Sequence, residues 1–265
     1  MALHGLINEA CHEKRLLKTI IGINNFSINT FSDKIKAAEV GGSTYLDIAA
    51  NTDLLKEIKT MASIPVCVSS ISVRELEACY DAGADMLELG NFDIFYAKNI
   101  TFTPEQIIAT VKKLRFRVPN ASLCVTIPHT LDLYDQLSLA QHLEQLGVDM
   151  LQTEGNTSKS NTMSNLLDAV NCASATLSST VVLSNYINIP IIASSGISSL
   201  TAPLAISCGA CGVGVGSFFR EFSTSLELCK EVSEMRYAMQ VNHSLIDKSY
   251  KYGFTFDNVD ILQIT

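Results

Sequence analysis

Apolar residues fall into two alternating patterns along this chain. Eight short runs, IIGIN (20–24), TYLDIA (44–49), PVCVSS (65–70), DMLELG (85–90), SLCVTIP (122–128), DMLQTEG (149–155), PIIASSG (190–196) and GVGVGS (212–217), are bounded by Gly, Pro, Asp or Ser and read as strands. Between them apolar residues recur at helical spacing: Leu54, Leu55 and Ile58, then Leu76, Cys79 and Tyr80, then Leu139, Leu143 and Leu146. Ser32, Thr52, Ser72 and Thr103 with Pro104 behind it mark helix starts, and Gly41, Gly83, Gly147 and Gly209 mark stops. The order is therefore strand, helix, strand, helix.

Side chains alternate between the two faces of a strand, so parity sorts each run into faces. One face is uniformly apolar, from Ile21 and Ile23 through Leu46, Val66, Leu87, Leu123 and Leu151 to Val213 and Val215, as expected under a layer of helices. The other face starts small or apolar and ends polar: Gly22 then Asn24, Tyr45 then Asp47, Cys67 then Ser69, Met86 then Glu88, Cys124 then Thr126, Met150 then Gln152, Ile192 then Ser194. Polarity gathers at the carboxyl ends of the strands. This predicts a single α/β domain, a (β/α)8 TIM barrel over residues 1–242, with a doubly wound open sheet as the alternative. Leu3, Leu6, Ile7, Ala10 and Cys11 predict an extra N-terminal helix that plugs the lower end. Residues 218–242 predict a closing amphipathic helix, and 243–265 a polar tail.

At 265 residues and 47% hydrophobic, the chain can bury one substantial core. Nineteen basic against 27 acidic side chains give a net charge of −8, which argues against a nucleic-acid partner. No apolar stretch reaches the roughly 20 residues that span a bilayer, so no membrane association is expected. The first residues carry Glu9 and Glu13 and lack an apolar core, so neither a secretion signal nor an acid-poor transit peptide is expected. Eight cysteines without an export signal predict reduced, buried thiols; Cys208 and Cys211 form a CxxC, but no second pair stands at zinc spacing.

The chemistry should sit where polarity gathers. ASSGI (193–197) and GVGVGS (212–217) close strands seven and eight, where barrels hold phosphate; Gly196, Gly214 and Gly216 let backbone amides approach an anion, and Ser195 and Ser217 offer hydroxyls. Close packing also accounts for glycines in such a strand. Asp47, Glu88, His129 and Glu154 converge on the same rim as the candidate catalytic set, with Asn24, Ser69, Asn91, Asp93, Thr126 and Gln152 around them. Carboxylates crowded at a barrel mouth are costly unless protonated or paired, and histidine is the residue type that exchanges a proton near neutral pH. No spacing signature supports a metal. The segment EGNTSKSNTMSN (154–165) is a candidate lid. No strand ends on a lysine, and Lys18 falls six residues before Asn24, about 20 Å lower at roughly 3.3 Å per residue. A Schiff-base mechanism is therefore disfavoured unless Lys98 or Lys159 folds in from a loop.

The segments IGINNF, YLDIAAN, PVCVSS, LELGNFDIFY, VTIPHTL, LQTEGNTSK, ASSGIS, TAPLA and GVGVGS together resemble the hypothetical chloroplast open reading frame family of algal plastids and cyanobacteria, from about residue 14 to about 220. The resemblance implies an aldolase-type barrel in a plastid stroma, or in the cytoplasm of a cyanobacterium, and brings no established reaction. Strands seven and eight are also distantly similar to thiazole synthase and the flavin-dependent barrels; no residue here stands in place of the thiazole synthase lysine.

Three functions follow as expectations. The first is an enzyme of lyase, isomerase or synthase type acting on a small phosphorylated metabolite, the phosphate on strands seven and eight and Glu88, His129 and Asp47 moving protons. The second is an FMN oxidoreductase with the cofactor phosphate at the same rim. The third is a non-catalytic binding or regulatory barrel. A homo-oligomer is left open by the sequence.

Overall fold

A computed structural model describes residues 3–21, 31–90, 92–96, 98–155, 166–216 and 224–246. Asn24, Asn91, Ser217, Lys159, most of the candidate lid (156–165) and the tail beyond residue 246 lie outside the described residues, as does the side chain of Asp93.

Eight parallel strands close into a barrel in sequence order: β1 (Leu16–Ile20), β2 (Tyr45–Ala49), β3 (Val66–Ser70), β4 (Met86–Leu89), β5 (Leu123–Ile127), β6 (Met150–Thr153), β7 (Ile191–Ser194) and β8 (Gly212–Val215), with β8 pairing back onto β1. Around them run α2 (Phe31–Gly41), α3 (Thr52–Met61), α4 (Val73–Asp81), α6 (Pro104–Arg117), α7 (Leu133–Gln145), α8 (Leu166–Ser184), α9 (Ala202–Ser207) and α10 (Ser225–Ile246); α5 (Asp93–Tyr96) is a single turn after β4. The chain thus forms the predicted (β/α)8 barrel. Among the described residues no helix is long and apolar enough to cross a membrane.

Local chemistry explains the punctuation. Thr103 caps α6 through a reciprocal capping box with Gln106 and places Pro104 in the first turn, where its missing N–H costs nothing. Ser72 caps α4, whereas α3 is capped by Asn51, one residue before the expected Thr52. In AGAD (82–85) and LGVD (146–149) the glycines take φ of +96° and +74°, and the aspartates that follow accept the first strand N–H groups of Val66 and Leu123 at 2.8 and 2.9 Å. One short motif therefore ends a helix and anchors the start of a neighbouring strand.

The sequence places the first strand four residues too late. The run LLKTIIGIN is apolar for most of its length, and its end at Asn24 matches the polar carboxyl ends of the other strands. The ladder begins instead at Leu16, with Lys18 opposite Tyr45 on one side and Gly214 on the other. A shift of four keeps the parity, so Lys18 still faces inward, but at mid-barrel rather than far below the mouth.

Inward side chains stack in two tiers. The lower, of Leu16, Tyr45, Cys67, Met86, Cys124, Met150 and Ile192, is apolar and capped by α1 (Gly5–His12), whose Ile7, Ala10 and Cys11 press onto it, as expected of the plug. The upper tier holds Lys18, Asp47, Ser69, Glu88, Thr126, Gln152 and Ser194, all buried.

Candidate functional site

The centre of the upper tier is a buried ammonium. Lys18 Nζ donates to Asp47 Oδ2 at 2.9 Å, Glu88 Oε2 at 2.5 Å and Gln152 Oε1 at 2.9 Å. Three donors meet three acceptors, so the ammonium is saturated. Ser69 Oγ donates to Asp47 Oδ1 at 2.5 Å; Gln152 Nε2 and Thr126 Oγ1 donate to Glu88 Oε1 at 2.9 and 3.2 Å; Gln152 Nε2 also donates to Thr126 at 3.0 Å. Each acid, amide and hydroxyl in this group has a partner.

The electrostatics follow from burial. Desolvation lowers the Lys18 pKa, but the Asp47 and Glu88 carboxylates outweigh it and hold the lysine above its ordinary value, so it stays charged. Burial raises the Asp47 carboxyl to about 6; Lys18 pulls it down, Glu88 pushes it up and the Ser69 hydroxyl lowers it. Asp47, Cys67 and Glu88 place ligand-type atoms within 4.8 Å of one another, a spacing suited to a metal. The Lys18 ammonium already bridges the two carboxylates, and burial beside them holds the Cys67 thiol well above its ordinary pKa, disfavouring the thiolate that a metal requires.

A raised carboxyl pKa has a definite sign in stability. The folded protein binds the Asp47 proton more tightly than the unfolded chain, so this group favours folding below about 4 and loses that contribution as pH rises through about 6. Asp47→Asn should remove a fall in unfolding free energy of roughly 2 to 3 kcal/mol between pH 4 and 7. Urea unfolding of both proteins at matched pH values measures it; identical pH slopes would contradict the assignment.

A second group stands one rung higher, at the mouth. Glu154 Oε2 accepts from Tyr96 OH at 2.9 Å and from the His129 backbone N–H at 3.2 Å, and lies 3.1 Å from His129 Nδ1. The Tyr96 ring meets the imidazole edge-on, with centroids 4.8 Å apart. The carboxylate thus fixes the ring and favours the Nδ1–H tautomer.

The turn after β7 completes the mouth. Ser195 and Gly196 take φ of +74° and +70° in succession, and the non-glycine member is an uncommon conformer of the kind that clusters at binding turns. Gly155, directly after Glu154, lies beside it: a Cβ there would stand 3.5 Å from Ser195 Cβ and 2.4 Å from the Thr176 hydroxyl. Gly214 faces Ser194 and Gln152 from the interior of β8, and Gly216 faces Ile20.

With the geometry in place, comparison with other proteins is decisive at the level of family. The family model described as "Protein of unknown function (DUF561)" matches residues 3–245. The chain belongs to the DUF561 family. Its relatives include the uncharacterized protein ycf23 of Porphyra purpurea, 38% identical over 245 residues and 92% of each chain, that of Antithamnion sp., 40% identical over 84% of each, and that of Cyanophora paradoxa, 34% identical over 92% of this chain and all of the other. These are the plastid open reading frames that the sequence resembles. Among solved structures, the DUF561 barrel is similar to (S)-3-O-geranylgeranylglyceryl phosphate synthase of Thermoplasma acidophilum, with a TM-score of 0.62 at 12% identity over 91% of this chain and all of the other. It is also similar to thiamine phosphate pyrophosphorylase of Pyrococcus furiosus, with a TM-score of 0.58 at 17% identity over 87% and 98%. Identities this low show the shared fold alone.

The DUF561 barrel divides what the sequence reads as one acidic rim. Asp47, Glu88, Ser69, Thr126 and Gln152 lie below the mouth in a closed network, while His129 and Glu154 pair above them. Two members of these groups escape sequence reasoning. Lys18 is missed because the first strand is misplaced, although its parity points inward. Tyr96 sits on the single-turn helix α5, for which LELGNFDIFY gives no periodic signal. Lys98 is exposed.

Proposed function

We propose that the protein is an enzyme acting on a small phosphorylated metabolite at the carboxyl end of the barrel, by proton transfer of the lyase, isomerase or synthase type. The observation that carries this reading is the adjacency of an oriented His129–Glu154 pair to the Ser195–Gly196 turn, through Gly155. The phosphate would rest on the amides and hydroxyl of that turn and at the end of β8 with Gly214, Gly216 and Ser217. His129 Nε2 would exchange the proton at the reacting centre, with Glu154 as its orienting carboxylate and Tyr96 steadying both. Asp47 and Glu88, neutralised in part by Lys18, would supply a fixed negative floor beneath the substrate rather than touch it.

The lysine bears on covalent chemistry too. Its central position removes the distance objection to a Schiff base, but a saturated ammonium held above its ordinary pKa is a poor nucleophile. The plastid setting of the family and the phosphorylated compounds in the names of the two solved barrels agree with a stromal metabolic enzyme.

The test is a thermal-shift titration with inorganic phosphate, FMN and a panel of phosphorylated metabolites, against chloride at equal ionic strength. A ligand at 100 times its Kd should raise Tm by roughly 5 to 10 °C. His129→Asn should keep that shift and lose turnover of the ligand found by at least roughly 100-fold. A shift and yellow colour with FMN alone would assign an oxidoreductase instead. No shift with any phosphate compound would overturn the proposal in favour of a non-catalytic barrel.

A further inference from the structure

The CxxC of Cys208 and Cys211 is resolved by the fold in an unexpected way. Cys211 Sγ lies 3.6 Å from Cys11 Sγ, across the seam between the plug helix and the entry to β8. Both side chains are buried, at 6% and 8% exposure. Main-chain bonds hold each in place: Cys211 N–H donates to Ile191, its carbonyl accepts from Leu16, and the Cys11 carbonyl accepts from Lys14.

We propose that Cys11 and Cys211 form a reversible disulfide that staples α1 to the barrel floor. At 3.6 Å the sulfurs are in van der Waals contact, and a disulfide asks them to close to about 2.05 Å. The route of reaction follows from burial. While docked, Cys211 is shielded, and its contact with Cys11 together with burial pushes its thiol well above the ordinary value, so reaction starts when α1 lifts. The helix is eight residues long and is held by Ile7, Ala10 and Cys11, and it joins β1 through Lys14 at φ +52°, a left-handed hinge in a non-glycine residue. Such an element opens locally far more often than the barrel unfolds.

In the lifted state the Cys11 thiolate attacks a small-molecule or protein disulfide, RSSR, forming a mixed disulfide and releasing one RS⁻, which takes up the Cys11 proton. When the helix docks again, Cys211 loses its proton and displaces the second RS⁻, which takes that proton. The protein is oxidised by two electrons, and RSSR is reduced to two RSH. The bond closes a loop of about 200 residues across the plug and lies at the end of the barrel opposite the mouth.

The experiment incubates the folded full-length chain with oxidised glutathione, then digests it without reduction and maps the peptides by mass spectrometry. A peptide pair joining Cys11 to Cys211 is expected, with titratable thiols in the denatured protein falling from eight to six. Tm should rise by roughly 5 to 10 °C and return on addition of dithiothreitol. Cys11→Ser should abolish the shift and Cys208→Ser should leave it. Ile7→Ala, which loosens the plug without touching a thiol, should speed oxidation by at least roughly tenfold. A Cys208–Cys211 link, a glutathione adduct at Cys11 that never resolves, or unreacted Cys11 and Cys211 beside modified Cys172 or Cys229 would each overturn the proposal.

Discussion

Lys18→Met should lower the unfolding free energy by about 3 to 5 kcal/mol at pH 7. The magnitude comes from what the substitution leaves behind more than from what it removes. Methionine fills nearly the same volume, so packing is largely kept. Asp47 and Glu88 then face each other inside the barrel with no cation between them, and Gln152 Oε1 loses its donor. An uncompensated buried carboxylate either costs several kcal/mol or takes up a proton. The loss should therefore shrink as pH falls: burial already raises the Asp47 carboxyl and the variant lacks the lysine that pulls it down, so the folded variant binds that proton more tightly than the unfolded chain and recovers toward wild type at acid pH. Adding Asp47→Asn and Glu88→Gln to Lys18→Met removes the stranded charges and should restore most of the stability, which keeps the test open if the single variant does not fold. Urea unfolding of the three proteins at pH 5 and 7 decides it. A loss under about 1 kcal/mol for Lys18→Met would mean that the cluster is solvated in solution.

That buried cation also marks the boundary of what the sequence tells. Parity along the strands places Asp47, Ser69, Glu88, Thr126 and Gln152 on the inner face, because alternation is a local property that each segment carries within itself. The barrel, its plug and most strand ends follow in the same way. Lys18 does not, since the lysine is tolerated only because Asp47 and Glu88, the latter 70 residues away in sequence, come to it. Without those partners in view, a lysine inside an apolar run reads as lying outside the strand, and the strand is pushed toward Asn24. The same blindness merges two groups into one rim: whether Glu88 or Glu154 stands at the mouth depends on strand stagger, which no single segment encodes.

The glycines of β8 show a further limit, and the second large effect lies there. GVGVGS reads as a phosphate-type turn, yet its glycines have different neighbours. A Cβ on Gly212 would stand 2.1 Å from the Leu16 carbonyl oxygen and 2.6 Å from Leu16 Cβ. Leu16 and Gly212 are register partners on the seam where β8 closes onto β1, so the obstacle is main chain that is itself hydrogen-bonded and cannot turn aside. Gly212→Ala must open that seam. The expected result is a loss of at least about 4 kcal/mol, from strained backbone, broken ladder bonds and displaced lower-tier packing together, seen as failure to refold or a collapse of the denaturation midpoint. Gly214→Ala meets side chains rather than main chain: its Cβ would stand 3.0 Å from the Ser194 hydroxyl, 3.2 Å from Ser194 Cβ and 3.4 Å from Gln152 Oε1, so its neighbours must give by tenths of an ångström. It should cost about 1 to 2 kcal/mol and leave the barrel closed, while narrowing the interior between Lys18 and the β7 turn where the proposed ligand sits. Equal stability of the two variants would refute packing as the reason for Gly212. Unequal stability, with a ligand shift weakened in Gly214→Ala, would assign the first glycine of the strand to barrel closure and the second to the site.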